Sequence, residues 1–460
     1  MTPLHIQFMA RAKQAPAKVA IVDRTLDIRL TYHKALIASL ILAGKIRKYH
    51  DGFIGVMVPT SSGAMLITLG ILMAGKVPVM INYSTGAAHN AEYAQHKCGF
   101  STIITSRSLL DKIGCREVDG MVFIEDIMSG ISMADKLTAA VKASLPLPML
   151  KHSVHVGDPD DNVVILFTSG SEKDPKAVQL THRNLVANLD DIFRIFQVQT
   201  SDIMLASLPL FHVLGYNTNF WLPLTRGMTA VTYANPLEYR KVVSIIREEK
   251  VTMVVGTPSF FSGYIRQSGP GDFVTVHIAI AGADKTPDPL RRQFQEKHDL
   301  ELLEGYGPTE TSPVISANTP EDNKPGSVGR PLPSVQVRIV DLDTGESLPP
   351  GREGKIMVKG DLVMRGYFDD IEETMLRIKD GWYDTGDMGM MDEEGYLWHR
   401  GRLRRFVKIG GEMVSLVAVE NVLVRLLPED VDCCVVEVPD SLKGAKIVAV
   451  VSQEVHPRKM

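Results

Sequence analysis

Apolar positions along this chain follow two alternating rhythms. Short runs rich in β-branched residues, such as Val163-Val164-Ile165-Leu166-Phe167, read as buried strands. Between them, apolar residues recur at helical spacing. Strands are predicted over 53–58, 77–81, 102–104, 163–167 and 251–256, and another ends at the glycine turn of Ile278-Ala279-Ile280-Ala281-Gly282. One helical pattern starts at Leu30-Thr31-Tyr32 and runs toward Arg47. A strongly apolar one follows Pro59-Thr60-Ser61-Ser62-Gly63, and Thr181 can cap a third beginning near His182. This alternation predicts a layered α/β sheet. Farther on, residues 354–360 and Met364-Arg365-Gly366-Tyr367 read as small strands of a β-rich subdomain. Residues 396–402 read as a strand ending at a domain boundary, so the expected division is a large α/β domain over 1–400 and a small α+β domain over 401–460.

With 460 residues, 45% hydrophobic and 23% charged, the chain is too long for one typical domain and has ample core. Lys+Arg 50 against Asp+Glu 54 leaves a net charge of −4, which names no partner and gives nucleic-acid binding no support. Cys98, Cys115, Cys433 and Cys434 lack metal-like spacing, so a reduced, cytoplasmic protein is the simplest expectation. The opening MTPLHIQFMARAKQ has no long apolar core, and no secretory leader is expected there. The most apolar stretch, 64–74, falls short of the ~20 residues that cross a bilayer. Any membrane contact is expected to be peripheral.

Three stretches carry candidate chemistry. After the strand at 163–167 comes Thr168-Ser169-Gly170-Ser171, then Glu172-Lys173-Asp174-Pro175-Lys176. Hydroxyls and backbone N–H groups in such a loop can donate to phosphate, and Lys176 can neutralise its charge. The spacing is not that of a G-x-x-x-x-G-K-[ST] loop, and a solvated turn is the plain alternative. In Gly305-Tyr306-Gly307-Pro308-Thr309-Glu310, glycines on both sides of Tyr306 leave room for a flat base against its ring. Thr309 offers a hydroxyl to a phosphate, and Glu310 is a hard oxygen ligand suited to Mg²⁺. In Trp382-Tyr383-Asp384-Thr385-Gly386-Asp387, the Asp387 carboxylate can accept from two ribose hydroxyls at once, although Asp beside Gly is also common in plain turns.

Together T-S-G-S-E-x-x-P-K, G-Y-G-x-T-E and W-Y-D-T-G-D resemble, in the same order, the motifs of AMP-forming adenylating enzymes: acyl-CoA and acyl-ACP synthetases, luciferases and peptide-synthetase adenylation domains. The resemblance covers nearly the whole chain. It implies a fold of the acyl-adenylate synthetase type, Mg-ATP as cosubstrate, and two half-reactions. A carboxylic acid, fatty in character, is activated to acyl-AMP and then passed to the thiol of coenzyme A or of phosphopantetheine on acyl carrier protein. It also implies roles for residues whose own pattern is undecided. His212, in Leu208-Pro209-Leu210-Phe211-His212, would gate the acyl pocket, although a buried histidine after a strand explains the string equally well. Peptide-synthetase domains carry Asp after that phenylalanine to hold an amino group, so an amino-acid substrate is disfavoured here. Gly282, Ala283 and Asp284 would lie beside adenine and the acyl chain. Arg402 would reach ribose or phosphate, Arg404 would be the hinge, and Lys408 would serve the second half-reaction.

Within the family, Gly410-Gly411-Glu412-Met413-Val414-Ser415 is most similar to the acyl-ACP synthetase half of bifunctional acylglycerophosphoethanolamine acyltransferase/synthetases. That makes acyl carrier protein the first expected acceptor and coenzyme A the alternative. Outward members of the basic run Arg400, Arg402, Arg404, Arg405 and Lys408 would then dock the acidic carrier. The family also carries a late lysine in a G-K motif beyond the point where Met460 stands, and Lys459 has neither its spacing nor its glycine. Impaired adenylation is therefore expected, and a non-catalytic binder of nucleotide or acyl-adenylate is the second alternative. Chain length of the acid and oligomeric state are not legible.

Overall fold

The computed structural model describes residues 1–168, 175–409, 412–428, 431–440 and 444–453. These fall into two compact units, Met1–Gln336 with Lys359–Gly381, and Val337–Val358 with Trp382–Met460. The cut expected near residue 400 falls inside a strand of the second unit, Leu397–Arg402. Hydrogen bonding decides this: Trp382–Met391 pairs antiparallel with both Glu353–Lys359 and Leu397–Arg402, so these sequence-distant pieces form one sheet.

The first unit is built on two sheets. Among the described residues one has seven strands, in the order Gly366–Tyr367, Ala177–Thr181, Asn162–Phe167, Val77–Met80, Phe53–Met57, Ile103–Thr105, Met121–Phe123. From Asn162–Phe167 to Met121–Phe123 its strands run parallel, and Val163, Val164, Ile165 and Leu166 are all fully buried, so their run is continuously apolar. The second sheet has nine strands among the described residues. At its centre Ile203–Ala206, Met253–Gly256, Ile278–Ala281 and Leu302–Tyr306 are parallel neighbours, so their carboxyl ends lie along one edge. The predicted strands and helices recur with small shifts, including the helix His182–Ile195 capped by the Thr181 hydroxyl.

Two buried carboxylates join elements at hydrogen-bond distance. Asp23, ending the strand Val19–Asp23, accepts from the Ser62 amide and hydroxyl at 2.8 Å each, at the start of the helix Ser62–Met73. Asp191 on His182–Ile195 accepts from the Ser334 amide at 2.9 Å. One predicted element is placed differently. Gly366–Tyr367 belongs to no β-rich subdomain; it edges the seven-stranded sheet, with Tyr367 opposite Val178. Two residues are too short a strand to reveal their partner, which long-range pairing chooses.

In the second unit the hairpin Phe406–Ile409 with Glu412–Ser415 is followed by the helix Leu416–Leu426 and the hairpin Cys433–Asp440 with Gly444–Val451. Val407, Leu416 and Val435 form its small core. The layered α/β unit with a smaller α+β unit is the architecture the pattern predicts.

Candidate active site

The seven-stranded sheet presents Thr168 and Lys176 at the turn end of the hairpin formed by Asn162–Phe167 and Ala177–Thr181. Their backbones pair, the Thr168 amide donating to the Lys176 carbonyl at 3.0 Å. Ser169, Gly170 and Ser171 lie outside the described residues. The Lys176 ammonium is paired with Glu373 and lies 5.2 Å from the centre of the Tyr367 ring. The Tyr367 hydroxyl donates to Glu310 Oε1 at 2.8 Å, in a buried contact. Glu373 is also 2.9 Å from Arg377. Burial, the largest influence on Glu373, pushes its carboxyl up, but the hydrogen bonds and charges of Lys176 and Arg377 outweigh it and leave it below the usual carboxylate range. The fold thus joins two candidates far apart in sequence, Lys176 and Glu310, through one tyrosine that no motif singled out. Tyr367 and Glu373 were missed because an isolated Tyr and one acid of an Asp-Asp-Ile-Glu-Glu run carry no signal of their own.

Glu310 and Thr309 occupy a short 3₁₀ turn, Thr309–Thr311, just after the strand Leu302–Tyr306. The turn is held by the Met364 amide, which donates to the Glu310 carbonyl at 2.8 Å. Gly307 is required sterically: a Cβ there would sit 1.6 Å from the Pro313 carbonyl oxygen. Gly305 and Tyr306 end the same strand, and Gly282 follows its parallel neighbour Ile278–Ala281. A Cβ on Gly282 would come within 3.8 Å of the Gly305 carbonyl and 3.5 Å of Leu214, so these segments meet. Ala283 has φ +68°, the left-handed region, and Asp284 is exposed.

The carboxylate of Glu304, inside the same strand, is buried. It pairs with Arg291 and accepts from the Thr286 amide at 3.1 Å. Burial raises its pKa, partly offset by Arg291. An acid within Leu302-Leu303-Glu304 was the available signal, and it pins the loop after Gly282 to the neighbouring strand.

His212 lies on the segment after Ile203–Ala206. Its side chain reaches solvent on one side, while its ring centre lies 4.6 Å from that of Phe211 with the two planes tilted by 56°. Desolvation by the surrounding protein lowers its pKa, so its ring is neutral near pH 7.

In the second unit Asp387 lies on Trp382–Met391 directly opposite Arg402. Its buried carboxylate is 3.2 Å from Arg402 Nε and 3.7 Å from His399 Nε2. Its amide donates to the Thr385 hydroxyl at 3.1 Å. Lys408 stands opposite Met413 in the hairpin, and its side chain lies outside those described, as does that of Arg404. The outward basic face expected here is reduced: Arg400 pairs with Glu353 at 2.8 Å, and Arg405 with Glu420. Acids brought near by sheet pairing and by the helix Leu416–Leu426 neutralise what reads in sequence as a run of bare charge.

Among the described residues no three His, Cys, Asp or Glu side chains gather to hold a metal ion by themselves. A single buried carboxylate, Glu310, still fits Mg²⁺, which keeps water ligands and draws other oxygens from bound phosphates. A cavity of about 440 Å³ lined by Asp158, Asp160, Asp161, Thr181, Asn184 and Arg365 sits at the other end of the Asn162–Phe167 hairpin and contains none of the candidate residues.

The family model for the AMP-binding enzyme matches residues 8–368. The long-chain-fatty-acid–CoA ligase of Bacillus subtilis is 30% identical over 470 residues, covering 92% of this chain and 81% of the relative. The mitochondrial medium-chain acyl-CoA ligase of Bos taurus is 29% identical, covering 96% and 77%. In fold the chain is similar to the o-succinylbenzoate CoA synthetase of Bacillus subtilis bound to its acyl-adenylate, with a TM-score of 0.85, 22% identity, and coverage of 98% and 90%. The chain belongs to the AMP-binding enzyme family. Within that class it is an AMP-forming acid–thiol ligase that works with ATP and Mg²⁺.

Proposed function

We propose that this enzyme activates a fatty carboxylic acid to acyl-AMP and transfers the acyl group to coenzyme A. The observation that carries the reading is the contact chain Lys176–Tyr367–Glu310, which links a cation and a buried carboxylate through one tyrosine within the matched region. A carboxylate oxygen attacks the α-phosphorus of ATP, and the bond to the β-phosphate oxygen breaks, releasing pyrophosphate. Lys176, with the hydroxyls of Thr168, Ser169, Ser171 and Thr309 and the Gly170 amide, is assigned to the charge that builds on the phosphates. Glu310 is assigned to Mg²⁺, which supplies neutralisation of the departing pyrophosphate. Tyr306, between Gly305 and Gly307, takes the base, with Gly282, Ala283 and Asp284 beside it.

Asp387 and Arg402 are assigned to the sugar; Arg402, 61% exposed, must move off Asp387 for the ribose hydroxyls to be accepted. Neutral His212 closes over the acid and does not take its proton. In the second step the thiol sulfur attacks the acyl carbon, the bond to the AMP oxygen breaks, and the thiol proton leaves to solvent. Lys408 is assigned to that step. Coenzyme A is favoured as acceptor by the named activities of the relatives. Acyl carrier protein is a second reading, supported by the Gly410–Ser415 string and weakened by the pairing of Arg400 and Arg405.

Incubation with Mg-ATP, a fatty acid and either coenzyme A or pantetheinylated carrier protein tests this. Acid-dependent release of AMP and thioester formation with coenzyme A are expected, and K176A should slow pyrophosphate–ATP exchange by about 10²–10³. Exchange that ignores the added acid would overturn the assignment, and thioester only on the carrier protein would reverse the choice of acceptor.

A further inference from the structure

The helix Met133–Ser144 packs the wrong way round for an amphipathic surface helix. It turns its small residues inward: Ala139 and Ala143 are buried against the protein, where it neighbours the helix Tyr32–Ile46. It turns its large apolar residues outward: Met133 is 76% exposed, Leu137 65% and Val141 57%. A spacing of four places these three in one line along the outer face. The orientation is held in place. Asp135 closes a capping box with Ser132 and pairs with Lys45 of Tyr32–Ile46 at 2.6 Å, and the Lys13 ammonium donates to the Ala143 carbonyl.

We infer that this face docks on a lipid surface bearing anionic headgroups, with the helix lying in the plane of the interface. Charge supports this occupant. Residues 132–152 carry Lys136, Lys142 and Lys151 against one acid, Asp135, which Lys45 already neutralises, in a chain whose net charge is −4. At about 100° per residue Lys136 borders the apolar line on one side, while Lys142 lies farther round the helix, so the basic edge is one-sided. Size argues against a second copy of the chain: one line of three side chains is far short of the ~20–30 residues a side that a stable dimer buries. Length excludes crossing, because no helix among the described residues is long and apolar enough to span a bilayer. The inference does not depend on the acyl-activation reading, though a surface-docked enzyme would meet a fatty acid where it partitions.

The test is co-flotation of the full chain with phosphatidylcholine vesicles, with and without phosphatidylglycerol. Binding to the anionic vesicles that weakens with salt is expected. The double variant M133D/L137D should lower the partition coefficient by about tenfold or more, because a charge replaces each buried apolar anchor. Both sites are exposed, so the thermal melt and activity on a short, water-soluble acid should stay at wild-type values. Equal flotation of wild type and variant, or no flotation of wild type, would overturn the proposal. So would a dimer in sedimentation velocity that the double variant dissociates, which would give the face to a second copy.

Discussion

The Tyr367 hydroxyl is the residue-scale feature on which most depends, since it donates to Glu310 while its ring faces the Lys176 ammonium. A hydrogen bond to a charged group contributes about 1.5–3 kcal/mol, equivalent to roughly 10–100-fold. Tyr367→Phe keeps the ring and removes the donor. It should raise the Mg²⁺ concentration needed for half-maximal pyrophosphate–ATP exchange by about tenfold or more, with little change in circular dichroism. An unaltered Mg²⁺ titration would separate the tyrosine from the role proposed for Glu310. Glu373 is a milder case. Its pair with Lys176 is partly exposed, and such pairs contribute about 0–1 kcal/mol. Glu373→Gln should therefore leave the melting temperature nearly unchanged while altering the dependence of rate on ATP.

At the scale of elements, the strand Leu302–Tyr306 and the turn after it do the positioning. Gly307→Ala would drive a methyl into the Pro313 carbonyl, and backbone cannot rotate aside as a side chain can. A loss of about 3 kcal/mol or more is expected, at or above the upper end for overpacking, read as a lower urea midpoint together with loss of exchange activity. Wild-type stability in that variant would mean the turn repacks freely. The element also shows what was legible in the sequence. The paired glycines and the Thr-Glu pair were read as candidate chemistry, but the strand Leu302–Tyr306 that carries them was not predicted. That Gly366–Tyr367 would pair with Ala177–Thr181, and so bring Tyr367 to Glu310, was not legible either, since two residues carry no register information.

For the whole molecule, two buried histidines couple stability to pH. Desolvation pushes His5 down to about 4, where it contacts the His155 carbonyl at 2.8 Å, and it holds the adjacent His182 well below its ordinary value. Their folded-state pKa values lie below the unfolded 6.5, so the unfolded chain binds more protons as pH falls. Stability is fully present above about pH 6.5 and falls as pH drops toward 4, His5 alone accounting for roughly 3 kcal/mol at the bottom of that range. Urea midpoints measured from pH 7 to pH 4.5 should fall, and His5→Gln, which keeps a donor and cannot titrate, should flatten the slope. A pH-independent midpoint in the wild type would show that neither ring remains buried and neutral.

Sequence alone determined the local elements and the chemical identity of the candidates, because strand runs, caps and motif residues are properties of neighbours along the chain. It could not determine which distant residues would meet. The Lys176–Tyr367–Glu310 contact, the neutralising of Arg400 and Arg405, the division of the chain into interleaved units, and the outward apolar line on Met133–Ser144 all depend on long-range packing. Burial and pairing across hundreds of residues are decided by the sum of many weak contacts, and no short window of sequence contains that sum.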